Sequence, residues 1–295
     1  MGQFWPTVAS KRRKITDKAE NANVKPPPPS LFKYCCAKRG LSILTENKIR
    51  FTPPEEFNDP FELLPLIAPN ASELDMLTQK QLQVEYAFAD VTPGSPLRPL
   101  DYKGFVKSTF KAQRDHAEKT AVNLPSDFAE QIRASMGKKF GVLSLSATKE
   151  NLIMWAHYAD EHRGCVLEFD TQHQFFGQAW LKSLRKVTYS GQRPRYVYES
   201  SDSAHLYHKS LDWKEEAEWR ILGDFSTMER ISPEAGKTIY LTKLPIGVVT
   251  AVYLGARMSE NDSVMFQRIA PNNSVKLLKA TTDRKEFALH FAPNP

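Results

Sequence analysis

Apolar and polar residues alternate in a way that predicts a strand, a helix and a second strand at the start of the folded region. Leu31–Cys35 is predicted to be a short strand, and Lys48–Thr52 a strand buried on one face. Between them, Ala37–Glu46 has apolar residues at helical spacing, and Asn47 is a suitable residue for the end of a helix. The pattern therefore predicts that order begins at Leu31.

A largely helical stretch is predicted from residue 72 to residue 137. Ser72 is a candidate N-cap for the first helix, and prolines interrupt the chain after it. A second helix is expected from about residue 101 to 122 and a third from 126 to 138. The stretch is expected either to be inserted into the sheet as a subdomain or to cover one of its faces.

From Phe140 onward the pattern changes to short, β-rich segments. The predicted strands are Phe140–Ala147, Cys165–Asp170, Val187–Ser190, Trp219–Leu222, Thr238–Thr242, Val248–Gly255, Val275–Ala280 and Phe287–Phe291. Helices are predicted near residues 150–159, 172–182, 202–210 and 259–269. Because the connections are too irregular for a repeated strand–helix–strand series, the predicted fold is α+β, with a mixed, mainly antiparallel sheet in a single domain over residues 31–295.

The positive charge of the chain is concentrated in its first 30 residues. The whole chain has a formal net charge of +6, and residues 1–30 contain six basic and two acidic side chains, which leaves about +2 for the rest. A nucleic-acid-binding domain is expected to carry many cations on one face, so the body does not fit that class. The runs Lys11–Lys14 and Pro26–Pro29 predict a disordered tail over residues 1–30, which is either solvated or contacts nucleic acid.

The three cysteines are typical of a reducing compartment. Cys35 and Cys36 are adjacent and Cys165 is distant in sequence, so a secreted disulfide framework is not expected. The chain has no apolar run of the roughly 18 residues that span a bilayer, and its N-terminus has no apolar stretch of the signal-peptide type. The predicted location is the cytoplasm, without a membrane partner.

A turn around Asn58 and Asp59 is the first segment with candidate chemistry. Pro60 disfavours a helical conformation at Asp59, and both side chains can bond the backbone of a turn. The segment Phe57–Glu62 is therefore either a rigid turn held between two phenylalanine rings or a polar turn in which Asn58 or Glu62 faces a ligand.

The second segment runs from a strand with small hydroxyls into a short helix with polar aromatic residues. Its candidate site residues are Ser144, Ser146, Trp155, His157 and Tyr158. A single histidine on a packed helix is more often structural than catalytic, so both interpretations of His157 stay open. The spacing of His157 and His162 does not place two ligands on one helical face, and no metal site is predicted.

The third segment, Trp213–Arg220, contains three glutamates within four positions. If it is a strand, Glu216 and Glu218 point to one face and Glu215 to the other. The segment is then either a solvated charge cluster held by its own Lys and Arg, or a site. In a site, a glutamate would orient a ribose hydroxyl, stabilise a cationic transition state or act as a base.

These three segments resemble a bacterial family catalogued as a domain of unknown function, number 2971. The resemblance is carried by three blocks of residues. They are Leu31–Tyr34 with Ile43-Leu44, Ile49–Phe51 and Phe57–Glu62; Leu143–Ser146 with Met154–Asp160 and His162–Gly164; and Trp213–Arg220. The matching blocks occur in the same order over roughly residues 31–255. This family implies no reaction.

The opening order of aromatic strand, helix and second strand also resembles that of ADP-ribosyltransferases. In those enzymes an early His or Arg grips NAD, a hydroxyl or aromatic residue follows, and a late Glu, often in a Glu-x-Glu pair, holds the nicotinamide ribose. The resemblance places Lys33 or Tyr34 first, then Ser144, Ser146 or Tyr158, and Glu216 with Glu218 last. It implies NAD as the cofactor, with Asn58, Trp155 and His157 as further binding candidates, although the opening strand has no His or Arg.

Three functional hypotheses follow from these patterns. An ADP-ribosyltransferase-like enzyme of toxin or defence type, with Glu218 as the key acid and an unassigned acceptor, predicts that Tyr34, Tyr158 and Glu218 surround one open cleft. A non-catalytic module that binds a nucleotide or a peptide predicts the same cleft, with Glu218 tied to Arg220 or another cation.

The third hypothesis is a metal-dependent nucleic-acid hydrolase. It predicts that Asp59, Glu62 and either Glu216 or Glu218 converge on a Mg²⁺ ion, since this metal prefers carboxylate oxygens.

Overall fold

The computed structural model describes residues 26–64, 66, 71–91, 101–122, 127–178, 181, 184–194, 204–232 and 236–294. The first 25 residues of the predicted tail, including its basic run, lie outside these residues. The end of the predicted tail is packed, because Thr171 donates hydrogen bonds from its hydroxyl to the carbonyl of Pro28 and from its amide to that of Pro29. The first strand begins at Ser30, so the prediction that order begins at Leu31 is slightly late.

Strands and helices follow one another along the described residues without a regular repeat. The strands are β1 (Ser30–Cys35), β2 (Lys48–Phe51), β3 (Phe140–Ser146), β4 (Cys165–Asp170), β5 (Arg185–Lys186), β6 (Thr188–Ser190), β7 (His208–Ser210), β8 (Glu218–Asp224), β9 (Glu229–Ile231), β10 (Ile239–Lys243), β11 (Val249–Leu254), β12 (Lys276–Thr282) and β13 (Leu289–Pro293). The helices are α1 (Ala37–Glu46), α2 (Ala71–Val91), α3 (Tyr102–Val122), α4 (Phe128–Gly137), α5 (Leu152–Tyr158) and α6 (Glu260–Ile269).

A mixed, mainly antiparallel sheet is the centre of the fold. Its eight strands lie in the order β13-β12-β11-β4-β1-β3-β8-β5, and among these only β11 and β12 pair in parallel, with α6 between them in sequence. Two smaller sheets contain β2-β10-β9 and β6-β7. The arrangement confirms the predicted α+β class with a mainly antiparallel sheet.

Strand β1 lies in the middle of the large sheet and is covered on both faces. Leu31 and Cys35 belong to a core that includes residues of α1 and α6, whereas Phe32 and Tyr34 pack with Trp155 of α5 on the opposite face. The alternation of side chains along the strand sends successive residues to the two cores. Tyr34 therefore lies next to α5, whereas Lys33 lies on the side of α1 and reaches the carbonyl of Ser144 on the neighbouring strand β3.

Helix α1 confirms the sequence prediction at both ends. It spans Ala37–Glu46, and Asn47 follows in the left-handed conformation with a φ of 50°. A side chain at Gly40 would place its Cβ 2.3 Å from the sulfur of Cys165, so the close approach of α1 to β4 requires a glycine there.

Two predicted helices are wrong. The described residues of 172–182 contain a short 3₁₀ helix, Gln174–Gly177, in place of the predicted α-helix, and its first turn is capped by His173. Residues 202–210 contain a 3₁₀ helix, Ala204–Tyr207, followed by β7. Pairing of β7 with β6, a tertiary interaction, overrides the local preference in this second segment.

The predicted helical stretch contains α2, α3 and α4. Helices α2 and α3 contact each other through the rings of Tyr86 and Phe105, whose centroids are 5.5 Å apart, and through an ion pair of 2.7 Å between Arg114 and Asp75. Among the described residues, these and the other helices are all too short or too polar to cross a membrane.

Candidate functional site

A cleft of about 290 Å³ opens beside β1, β3 and the start of β8. It is lined by Phe32, Lys33, Tyr34, Thr52, Glu56, Phe57, Asn58, Val142, Ser144, Leu145, Ser146, Met154, Tyr158, Lys209, Glu216 and Glu218. Strand register brings these residues together, because Ser146 lies opposite Phe32 on one side and opposite Glu218 on the other. The three segments singled out in the sequence therefore meet at one place.

A buried group of five charged side chains lies at the floor of the cleft, and three of them, Lys209, Glu216 and Glu218, line it. This carboxylate–cation cluster consists of Glu62, Glu216, Glu218, Lys209 and Arg220. All five side chains are nine-tenths or more buried. Charges at such depth are stable only when each has partners of opposite charge or hydrogen bonds.

Arg220 organises one half of the cluster. Its Nε donates to Glu218 Oε1 at 2.7 Å and its Nη2 to Glu218 Oε2 at 2.9 Å, which is the two-pronged geometry that fits a carboxylate. Its Nη2 also contacts Glu62 Oε1, and its Nη1 donates to the carbonyl of Leu206 at 2.9 Å. The guanidinium is fully buried, so these contacts replace its hydration.

Lys209 organises the other half. Its Nζ lies 2.5 Å from Glu216 Oε2, 3.4 Å from Glu218 Oε2 and 3.5 Å from Glu62 Oε2. It also lies 5.0 Å from the centre of the Trp213 ring, within the range of a cation–π contact. A single ammonium group therefore occupies the position on which all three carboxylates converge.

The cluster holds three carboxylates against two cations, and the pKa values of two of these carboxylates are shifted in opposite directions. Burial raises the pKa of Glu62 to about 7, despite the nearby guanidinium of Arg220. Burial acts in the same direction on Glu218, but the charge and hydrogen bonds of Arg220 outweigh it and lower the pKa of Glu218 to about 2. Glu218 is therefore ionised at neutral pH, whereas Glu62 titrates near it.

Tyr158 connects the cluster to the wall of the cleft. Its hydroxyl donates to Glu216 Oε1 at 2.6 Å and lies 3.4 Å from the Asn58 amide nitrogen, which donates to it. Burial and the neighbouring Glu216 both raise the pKa of Tyr158, so the phenol stays protonated.

Asn151 fixes helix α5, which carries Tyr158, against the third segment. Its side-chain oxygen caps the helix by accepting hydrogen bonds from the amides of Ile153 and Met154. Its side-chain nitrogen donates to the carbonyl of Glu215 at 2.6 Å. The cap thus fixes the distance between Tyr158 and Glu216.

The backbone of the third segment is only partly the predicted strand. Leu211–Glu216 is a 3₁₀ helix, Ala217 has a left-handed conformation with a φ of 46°, and β8 begins at Glu218. The hydroxyl of Ser146 donates to the carbonyl of Glu216 at 2.7 Å and holds this bend in place. The strand geometry considered for Glu215–Glu218 therefore does not hold before Glu218, although Glu216 and Glu218 still face the same cation. The predicted strand Trp219–Leu222 lies within β8.

Eight of the ten predicted site residues line the cleft: Lys33, Tyr34, Asn58, Ser144, Ser146, Tyr158, Glu216 and Glu218. Lys33 donates from Nζ to the carbonyl of Ser144 at 2.9 Å, and the Tyr34 hydroxyl donates to the carbonyl of Thr148 at 2.9 Å. Tyr34 therefore offers the cleft its ring, because its hydroxyl is already bonded.

Trp155 and His157 do not line the cleft. Trp155 is fully buried behind Tyr34, with ring centroids 5.6 Å apart, and its Nε1 donates to the carbonyl of Lys149. It supports the wall from behind. The side chain of His157 is exposed on the outer side of α5, and its ring contacts the edge of Tyr158.

The turn before the cleft matches its structural interpretation only in part. Asp59 accepts a hydrogen bond from the amide of Phe61 at 2.9 Å, as expected of an Asx-turn. Phe61 is 61% exposed, so the expected clamp of two phenylalanine rings is wrong, whereas Phe57 lines the cleft and contacts the Arg220 guanidinium. Glu62 points into the cluster rather than toward a ligand.

The sequence did not reveal Lys209 as a site residue. It lies in a segment predicted to be helical, and no local motif marks it. The interpretation of the third segment as a solvated cluster held by Lys214 fails for Glu216 and Glu218, which are buried, and holds for Glu215, whose exposed side chain pairs with Lys214 at 3.8 Å.

The carboxylates do not form an open metal site. In the part of the chain that the structure describes, no group of three or more His, Cys, Asp or Glu side chains is arranged to hold a metal ion. The ammonium of Lys209 takes the position that a cation would need among Glu62, Glu216 and Glu218. Asp59 is occupied in its own turn.

Comparison with known proteins supports part of the predicted resemblance. No curated protein and no solved structure matches the chain. Residues 154–221 match the family described as "Protein of unknown function (DUF2971)", a stretch that contains Tyr158, Lys209, Glu216, Glu218 and Arg220 and therefore most of the cluster. The segment that carries most of the cluster is therefore similar to this family of unknown function.

Proposed function

We propose that the cleft binds the nicotinamide–ribose end of NAD, or a ligand of the same chemistry in which an aromatic ring is joined to a ribose. The observation that carries the proposal is the pair of carboxylates, Glu216 and Glu218, held at the floor of a cleft with aromatic walls. The proposal also draws on the sequence resemblance to ADP-ribosyltransferases.

The size of the cleft supports a ligand fragment of this kind. Pockets for small organic ligands have volumes of roughly 300–1,000 Å³. The cleft, at about 290 Å³, suits one ring and one sugar rather than a whole dinucleotide.

The walls of the cleft suit a flat, positively charged ring. Phe32, Tyr34, Phe57 and Tyr158 contribute aromatic surface. Aromatic rings stack on one another and attract cations to their faces, so a pyridinium ring is stabilised in both ways. The negative excess of the carboxylate–cation cluster acts in the same direction.

The floor suits the hydroxyls of a ribose. Glu216 accepts a hydrogen bond from Tyr158 on one oxygen and pairs with Lys209 on the other. Each carboxylate oxygen has a further lone pair, so Glu216 can still accept a hydrogen bond from a sugar hydroxyl. Ser144 and Ser146 line the same side.

The state of Glu218 supports binding more than acid–base catalysis. A carboxylate with a pKa of about 2 is too weak a base to accept a proton at neutral pH, and both of its oxygens are engaged by Arg220. Its fixed negative charge favours one catalytic role. A charge held beside the ribose stabilises the positive charge that develops when the nicotinamide–ribose bond breaks, which makes ADP-ribosyl transfer the second candidate function.

The hydrolase hypothesis receives no such support, because Lys209 neutralises the carboxylates that would have to bind Mg²⁺.

Calorimetric titration of the full chain with NAD and with nicotinamide riboside tests the proposal. Tyr158→Phe and Glu216→Gln should each weaken binding of both ligands by about tenfold, the effect of losing one charge-assisted hydrogen bond. Glu215→Gln is the matched control, because it makes the same change on the exposed neighbour. Absence of binding to either ligand, or equal losses in the control, would refute the proposal.

Release of nicotinamide from NAD in the presence of cell lysate, as a source of acceptors, separates binding from transfer. Release that is lost in Glu218→Gln would support the transferase. Binding without release would leave a non-catalytic module.

A further inference from the structure

A second hollow, of about 260 Å³, adjoins the cleft along β1. The two hollows share Lys33, Tyr34 and Thr52 as lining residues. On its far side the second hollow is lined by Arg39 of α1 and Arg50 of β2. We call the surface formed by Lys33, Arg39 and Arg50 the basic groove.

The basic groove carries positive charge that the protein does not fully balance. The Nζ of Lys33 donates to a neutral carbonyl, that of Ser144, and Arg39 is exposed on α1. Arg50 is paired with Glu56 through Nη2 at 2.6 Å. Among the residues that the structure describes at this surface, three cations therefore have one carboxylate partner, Glu56.

Lys33 and Arg39 line the same hollow, and Lys33 also lines the cleft. Burial is the main cause that lowers the pKa of Lys33, and the charge of Arg39 acts in the same direction, whereas the charges of Cys35, Glu218 and Glu216 raise it. Lys33 thus lies between the carboxylate–cation cluster on one side and the arginines on the other.

The start of α1 adds a further feature that suits an anion. Cys36 occupies the N-cap position, makes no side-chain hydrogen bond to the helix and lines the groove. The first amides of a helix without a side-chain cap carry partial positive charge and attract anions.

We propose that the basic groove is an anion subsite that binds the phosphate groups of a ligand whose ring and ribose occupy the cleft. Phosphate oxygens accept hydrogen bonds from guanidinium groups in a planar, two-pronged geometry, and a lysine adds a point charge. The link between the two subsites rests on the proposed function, whereas phosphate binding in the groove does not. The two hollows together suit a dinucleotide that neither could hold alone.

Three probes separate the two subsites in calorimetric titrations of the full chain. Nicotinamide riboside has no phosphate, inorganic pyrophosphate has no ring or sugar, and ADP-ribose has both phosphates and ribose without nicotinamide. Arg39→Gln should weaken the binding of ADP-ribose and of pyrophosphate by about tenfold and leave the binding of nicotinamide riboside unchanged. Lys38→Gln, the same charge change on the next residue of α1, should have little effect because Lys38 does not line the groove.

A second variant checks that the geometry of the groove matters. Arg50→Lys keeps the charge and should still weaken the binding of ADP-ribose, because lysine cannot make two parallel hydrogen bonds to a phosphate. Equal losses in Arg39→Gln and Lys38→Gln would show only general electrostatic attraction and would overturn the proposal, as would no loss in Arg39→Gln.

The same titrations distinguish failure of the groove from failure of the cleft. Binding of pyrophosphate that depends on Arg39, without binding of nicotinamide riboside, would keep the anion subsite as a site for free phosphates and reject the proposed function. Binding of nicotinamide riboside without binding of pyrophosphate would keep the proposed function of the cleft and reject the anion subsite.

Discussion

Two arginines in the segment that matches the family, Arg163 and Arg220, each pair with two carboxylates, and the two groups differ in almost every physical respect. Arg163 pairs with Asp160 at 3.2 Å and with Glu161 at 3.0 Å on the surface, where its side chain is 43% exposed. Arg220 pairs with Glu218 and Glu62, and its own side chain has no exposed area. Both groups contain one arginine and two carboxylates. Water screens the ion pairs of Arg163 and can replace them, whereas no water is available to replace the buried ion pairs of Arg220.

The difference teaches that charge pattern alone does not identify a site. Exposed ion pairs contribute little because solvent competes with them. A buried group of charges is instead retained at a cost in desolvation, so its presence under a cleft needs an explanation in terms of specificity or ligand chemistry. The carboxylate–cation cluster is of this second kind.

Removing the buried arginine should give the largest effect. Arg220→Met is expected to lower the free energy of unfolding by about 3–5 kcal/mol, because Glu218 and Glu62 would keep their burial and lose their main partner. Urea denaturation followed by circular dichroism measures this change. A loss below about 1 kcal/mol would show that the cluster is hydrated and not the closed network described above.

The proton on Glu62 should make stability depend on pH. Its pKa is raised from 4.5 to about 7 in the folded chain, so the folded state holds this proton more tightly than the unfolded state does. The resulting stabilisation is complete below pH 4.5 and is lost as the pH rises through 7, an effect on the order of 3 kcal/mol.

Glu62→Gln isolates this contribution. Unfolding curves at pH 5 and pH 8 should differ less in the variant than in the wild type. The lowered pKa of Glu218 does not confuse the comparison, because its stabilisation is lost only as the pH falls from 4.5 toward 2. If the free energy of unfolding changed equally with pH in the wild type and in Glu62→Gln, a group other than Glu62 would be responsible for the pH dependence.

Removing the hydroxyl at the edge of the cluster should give an intermediate effect. Tyr158→Phe is expected to cost about 1–2 kcal/mol, the value of one hydrogen bond to a charged acceptor, since the ring stays in place. Thermal unfolding at neutral pH provides the measurement, and an unchanged midpoint would mean that water replaces the hydroxyl at Glu216.

The surface group should show the smallest effect. Arg163→Gln removes two ion pairs, as Arg220→Met does, but its partners are 48% and 65% exposed and regain water. We expect no change in unfolding beyond experimental error. A large loss would contradict the contrast between the two groups and assign a structural role to the surface arginine.

Local pattern was sufficient where neighbours in sequence decide the structure. The ends of α1 and of β4 agree with prediction because helical spacing, Asn47 and the β-rich composition of Cys165–Asp170 act over a few residues. The three segments of the cleft were recognised for a similar reason, since each has unusual residues close together.

The cluster itself was beyond such reasoning. Alternation along β8 places Glu218 and Arg220 on one face but does not tell what covers that face. That face of β8 is covered by Leu206, Lys209 and Glu62. Glu62 precedes Arg220 by 158 residues in the sequence. Only tertiary structure brings these partners together and turns an apparently solvated charge run into a buried network.

The cysteines offer a practical consequence. The chain has three, of which Cys35 and Cys165 are buried and Cys36 is exposed at the lip of the basic groove. A thiol-reactive fluorophore should therefore label the native chain at one position without any engineered residue. A change in the emission of the fluorophore on Cys36 would then show that a ligand has entered the groove. Cys36 could therefore serve as the labelling site in a ligand screen.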